Sequence, residues 1–193
     1  IIFWKFDRGL AIYFLKESWP LIFSGFLVSV YMKIDMVMIN HMLGPYEVGI
    51  YSAAVKLSEL WYFIPVIICS SIFPAILNAK KQSQVIYYKR MKSLYFIMFW
   101  FPFFISVAMT FIGDYLVVFL YGIDYNESAS VLSIHIWASI FVFIGVSNTR
   151  YMLAEGFQRT TLIGTLIGGI VNVALNFYLI PLYGVSGAAW STL

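Results

Sequence analysis

Apolar runs of about 20 residues or more recur along the whole chain, separated by short polar connections. A run of that length, coiled as a helix at 1.5 Å per residue, crosses about 30 Å of hydrocarbon, and in lipid it must be helical to satisfy its own backbone. Five runs qualify, at about 18–40, 47–78, 93–112, 129–154 and 160–182, and a sixth starts from about 185. The chain therefore reads as all-α and integral to the membrane, a polytopic helix bundle from 18 to 193 with no soluble domain. Composition agrees: 62% of residues are hydrophobic and 11% charged, against about 45–50% apolar in soluble domains.

The second run is too long for one straight crossing, and Pro65 and Pro74 are expected to kink it. Residues 1–17, which include "FWKFDRGLAIYFLK", mix aromatics with charges and suit a helix lying on the cytoplasmic interface, the alternative being the end of a cytoplasmic loop with chance amphipathicity. The stretch "GDYLVVFLYGIDYNESAS" contains a short apolar run, read as a separate helix at the outer interface, with Tyr115, Tyr121 and Tyr125 at headgroup depth. The opening lacks a cleavage site and the last residues begin a new apolar segment, so both ends read as cuts through a longer protein. Cys69, the single cysteine, excludes an internal disulfide and behaves as a small hydrophobe.

Charge sets the expected sidedness. Lys80, Lys81, Lys89, Arg90 and Lys92 share one connection without an acid, and Asp114, Asp124 and Glu127 share the next without a base. The positive-inside rule makes the first cytoplasmic. With Lys5, Arg8 and Lys16 at the start and Arg159 in a later turn, the chain is expected to start inside.

Four charges fall within the spans. A Lys or Asp at a helix centre costs about 2.5–3.5 kcal/mol to insert, so Lys33, Asp35, Lys56 and Glu59 each need a partner or a wet cavity. At 100° per residue Lys56 and Glu59 lie about 60° apart on one face, and Lys33 and Asp35 about 160° apart. Two pairings fit, Asp35 with Lys56 or Lys33 with Glu59, and these residues are read as the wall of a polar cavity. The competing reading is an ion pair that only orients two helices. Arg150, about four residues from the inner end of its span, can snorkel to the interface and is the weaker cavity candidate. His135 is expected to be a satisfied histidine, and Asn148, Asn172 and Asn176 to hydrogen-bond across helices. Gly164 and Gly168 are expected to let helices approach closely, together with Gly169.

No metal-ligand spacing, phosphate-binding loop or nucleophile elbow is present in the sequence, so no catalytic or metal residue and no cofactor is expected. The basic, tyrosine-containing stretch at 80–95 is explained by topology, and no nucleic-acid partner is expected.

The order and spacing of Ser18-Trp19-Pro20, the Asp35 stretch, Leu43-Gly44, Val48-Gly49-Ile50-Tyr51, Ile64-Pro65, Phe73-Pro74 and then Asn172, Asn176, Pro181, Gly184, Gly187 and Ala188 resemble the polysaccharide biosynthesis flippases of the Wzx type. That superfamily also contains the multidrug and toxin extrusion (MATE) transporters and the peptidoglycan lipid flippase. The resemblance implies about a dozen helices in two lobes around an alternately opening cavity, this chain being the second lobe. It implies transport of an undecaprenyl-pyrophosphate-linked oligosaccharide, an O-antigen or capsule repeat unit, across the bacterial inner membrane. The implied partners are that glycan, membrane lipid, the remaining lobe, and the polymerase and chain-length machinery. Coupling to protons or sodium is also implied, with Asp35 or Glu59 to carry it. The alternatives are a MATE-like drug or cation exporter, against which Lys33 and Lys56 argue, and a membrane enzyme of glycan assembly.

Overall fold

A computed structural model describes residues 7–193; the first six, including Lys5, lie outside the described residues. The described chain is helical almost throughout. The elements are α1 (Arg8–Met42), α2 (Pro45–Glu59), α3 (Phe63–Gln82), α4 (Gln84–Tyr121), a 3-10 turn (Ile123–Tyr125), α5 (Asn126–His135), α6 (Ala138–Glu155), α7 (Gln158–Tyr183) and α8 (Val185–Thr192). Four stretches are long and apolar enough to cross a membrane, namely α1, Pro45–Gln82, α4 and α7. A fifth arises if the bent pair of α5 with its preceding turn and α6 is one span. The protein is an all-α polytopic membrane protein.

The helices differ from the sequence reading in where they break. No boundary separates residues 8–17 from the first crossing, because α1 runs for 35 residues from the Asp7 cap, whose carboxylate accepts from the Gly9 and Leu10 amides at 2.8 and 3.1 Å. Lys16 and Glu17 are good helix formers, no glycine follows Gly9 until Gly25, and Pro20 is carried inside the helix without ending it. The long second run is interrupted at 60–62, where backbone bonds shorten to Tyr62 N to Glu59 O and Ile64 N to Trp61 O. Pro65 then falls in the first turn of α3, where its missing N–H costs little. Pro74 stays within α3.

The separate outer helix expected near 115–121 is instead the last turns of α4. That helix is 38 residues long, passes through Gly113 packed against Leu132, and stops at Gly122, whose φ of 91° suits only glycine. The fifth run breaks between His135 and Ala138 with a 45° bend.

Parallel α1 and α7 form the largest contact of the bundle, α7 turns back through Gly184 into α8, and α4 packs against α3, α5 and α6. Two apolar clusters form the interior. One, around Tyr51, Ala54, Leu132, Ile136 and Ala188, lies toward the 41–46 turn; the other, around Cys69, Ile76, Met91, Leu94, Met98 and Phe143, lies toward the basic 80–92 connection. Large apolar side chains face outward, Phe119 at 85% and Phe111 at 77% exposure, as lipid rather than water requires.

Candidate functional site

Asp35 sits at 3% exposure where α1, α2, α7 and α8 meet. Its carboxylate accepts from the Tyr51 hydroxyl at 3.0 Å, the Asn176 amide at 2.6 Å and the Thr192 hydroxyl at 2.7 Å. Ser191 donates to Asn176 Oδ1 at 2.6 Å, and Asn176 donates to Asn172 Oδ1 at 3.2 Å. Among the described residues no base pairs with Asp35. The two asparagines thus hydrogen-bond across helices, as their position in the spans suggests.

The pairing of Asp35 with Lys56 does not form. Asp35 and Tyr51 are equally distant in sequence from Leu43, so the antiparallel α1 and α2 bring those two opposite each other. Lys56 lies five residues further along α2, about 7.5 Å beyond Tyr51, and is exposed on the outer side of this helix, between the inward Val55 and Ser58. The other pairing does form: Lys33 Nζ is 3.3 Å from Glu59 Oε2, with Lys33 57% exposed and Glu59 23%.

Asp35, Tyr51, Glu59, Tyr62, His135 and Thr192 border a cavity of about 350 Å³. His135 Nδ1 lies 2.9 Å from Ser58 Oγ, and its ring stands edge-on to Tyr51, so the histidine is satisfied. A second cavity of about 650 Å³ adjoins the first through Tyr31, Gly145, Thr149, Thr165 and Thr192, and is bordered by Asn148, Asn172 and Ser191. Together they form a trough among α1, α2, α6, α7 and α8 whose largely apolar walls carry these polar groups.

Arg150 is half-buried, borders neither cavity and has no carboxylate partner among the described residues. Gly164 and Gly168 do not mediate a close approach among the described residues. A Cβ on either meets nothing within 4 Å, and both line the larger cavity instead. The close approaches fall elsewhere, at Gly169 against Tyr31 and at Gly187, where a Cβ would overlap the Leu179 carbonyl.

Toward the basic connection a second polar cluster joins three helices. Lys80 Nζ lies 2.7 Å from Glu155, which also accepts from the Tyr87 hydroxyl at 2.8 Å, and the ammonium stands over the Tyr87 ring at 5.5 Å. Sequence reading assigned Lys80 to topology only, named Tyr51 only as part of a resemblance and left Ser191 and Thr192 unremarked. Their hydroxyls are ordinary in a span until the fold brings them to one carboxylate.

Comparison with known proteins adds identity to this geometry. Residues 3–80 match the family described as polysaccharide biosynthesis protein. The chain is 24% identical over 171 residues to the capsular polysaccharide biosynthesis protein CapF of Staphylococcus aureus, covering 88% of this chain and 43% of that protein. It is 27% identical over 176 residues to the probable flippase AglR of Haloferax volcanii, covering 84% of this chain and 35% of that one. The chain thus spans less than half the length of either relative. No solved structure matches it. On the family match and these two relatives, in keeping with its bundle of membrane-crossing helices, the chain is similar to polysaccharide biosynthesis and flippase proteins.

Proposed function

We propose that the chain is the second lobe of a two-lobed carrier that moves an undecaprenyl-pyrophosphate-linked oligosaccharide between leaflets of the bacterial inner membrane by alternating access. The observation that carries this reading is the polar trough, bordered by Asp35, Glu59 and His135 with Lys33 paired to Glu59, inside an otherwise apolar bundle. Such a wall is expensive in hydrocarbon unless a polar solute or water uses it. The flippase relative points to a transporter rather than an enzyme.

In this mechanism the exposed Lys33 ammonium attracts the pyrophosphate, and Glu59 holds the lysine in place until the anion replaces it. The hydroxyls and amides of Asn148, Thr149 and Asn172 offer the hydrogen bonds that a sugar exchanges for water. Coupling to protons or sodium belongs at Asp35. Its carboxylate has neutral hydroxyl and amide partners only, so a proton or a small cation changes the charge of the cluster without breaking an ion pair.

The test is complementation of a strain lacking its own flippase by the full-length parent protein. Lys33→Ala, Glu59→Ala and Asp35→Asn should abolish surface polysaccharide at normal membrane abundance, and Lys56→Ala, outside the trough, should leave it. Full complementation by the first three would remove the trough from the transport path.

A further inference from the structure

Where α3 and α4 meet beside the basic connection, a groove of about 420 Å³ opens between Ile72 of α3 and Ile86, Lys89, Arg90, Leu94 and Ile97 of α4. None of these residues borders either cavity of the trough. Ile86, Arg90 and Ile97 follow one another at four and seven positions, so a single face of α4 carries both a charge and apolar groups.

The groove changes character with depth. Lys89 and Arg90 stand at its end toward the connection, and Ile97 lies seven residues further along α4, about 10 Å deeper. Leu94 is its floor, being 2% exposed and part of the interior cluster, while Ile72 and Ile97 remain exposed. The polar end is held in place. Arg90 Nη1 donates to the Ala75 carbonyl of α3 at 2.8 Å, which fixes the guanidinium across the groove and leaves its other N–H groups without a partner among the described residues. Ser93 gives its proton to the Lys89 carbonyl at 3.1 Å, so the donors at this end are the two cations.

Charge there is uncompensated. Lys80 is paired with Glu155, whereas Lys81, Lys89, Arg90 and Lys92 have no carboxylate partner among the described residues. A fixed guanidinium and a free ammonium suit a phosphate, and the apolar walls one to two turns deeper suit the first carbons of an acyl chain. A free anion would leave those walls bare. A soluble acidic peptide would have to pass below the head groups to reach Ile72 and Ile97.

We propose that this groove binds an anionic phospholipid of the leaflet that faces the basic connection, its phosphate at Lys89 and Arg90 and its upper acyl carbons against Ile72, Leu94 and Ile97. The lipid then stands on the outside of the bundle, bridging α3 and α4, and is a resident of the protein rather than its cargo. The inference does not depend on what the trough carries.

The experiment uses the full-length parent protein in nanodiscs of phosphatidylcholine. Two probes carry a diazirine beside the ester of one acyl chain, one on phosphatidylglycerol and the other on phosphatidylcholine, and the readout is the ratio of their labelling at residues 72, 94 and 97. Wild-type protein should favour phosphatidylglycerol. Lys89→Gln, whose side chain makes no hydrogen bond in the structure, should lower the ratio about fivefold, the worth of one cation at an anionic lipid. Arg90→Gln should lower it at least as much, and Arg90→Lys, which keeps the charge, should retain most of it. Lys92 is about 160° round α4 from Arg90 and outside the groove, so Lys92→Gln should change it little.

Equal labelling by the two probes, or an unchanged ratio in Lys89→Gln, would overturn the proposal. So would a loss in Lys92→Gln equal to that in Lys89→Gln, which would mean diffuse surface charge. Competition by glycerol phosphate in water as strong as that by unlabelled phosphatidylglycerol would make this a site for free anions. Stronger competition by a polyprenyl pyrophosphate than by phosphatidylglycerol would assign it to cargo, and either result sinks the resident lipid while leaving the carrier reading intact.

Discussion

Asp35 shows how much one buried carboxylate can organise. Three donors from three helices converge on it, and the donor from α7 is itself held by Ser191 of α8. Removing Asn176 leaves the carboxylate short of a partner, so Asn176→Ala should destabilise the parent protein by about 1–3 kcal/mol, toward the lower end if the helices relax in lipid. Thermal unfolding in detergent measures this, and the loss should shrink in an Asp35→Leu background, where no charge is left to satisfy. The sequence announces Asp35, Lys33 and Glu59 because charges in a span are rare, and it limits their partners by register. It cannot separate Lys56 from Glu59, since two residues 60° apart straddle the edge of the trough and only packing decides which falls inside. Arg150 illustrates the same limit, for its depth is legible and its facing is not.

At the scale of elements, glycine spacing misleads where glycine sterics inform. The GxxxG pattern at Gly164 and Gly168 predicts a close helix contact, yet a Cβ there meets open space, whereas Gly187 sits against the Leu179 carbonyl in the hairpin of α7 and α8. Gly187→Ala should therefore lower the melting temperature and membrane abundance, through an overlap costing about 1–3 kcal/mol, and Gly168→Ala should be neutral for stability. The ion pair of Lys80 and Glu155 is partly exposed, so Glu155→Gln should cost less, about 1 kcal/mol or under, measured by the same unfolding assay. Helix existence follows from the apolar runs with little ambiguity. Helix ends do not: the signal for a stop is a glycine at positive φ such as Gly122, and the signal for continuation through 114–121 is merely the lack of glycine or proline there.

For the whole molecule, the relatives are more than twice as long as the chain that matches them, and the proposed carrier needs a second lobe. The isolated chain, reconstituted, should translocate no lipid-linked sugar, and measurable turnover would overturn the half-carrier reading. Sidedness can be checked on the parent protein by labelling Lys81→Cys and Asp124→Cys with an impermeant thiol reagent, which should reach the two from opposite faces. The fold class and the polar residues at stake are readable from the chain alone. The pairing of α1 with α7 is not, because contacts between residues 141 positions apart depend on how the runs return through space.

The unbroken α4 has a consequence of its own. Between Lys92 and Asp114 it carries no charge, a stretch about 33 Å long against hydrocarbon about 30 Å thick, and further helix extends past both charges. A helix with charges at that separation, and Pro102 between them, is matched in length to such a membrane. In a thinner bilayer it has to lean, carrying the helices packed on it, and in a thicker one it stands upright. Bilayer thickness is thus expected to set the tilt at which α4 stands.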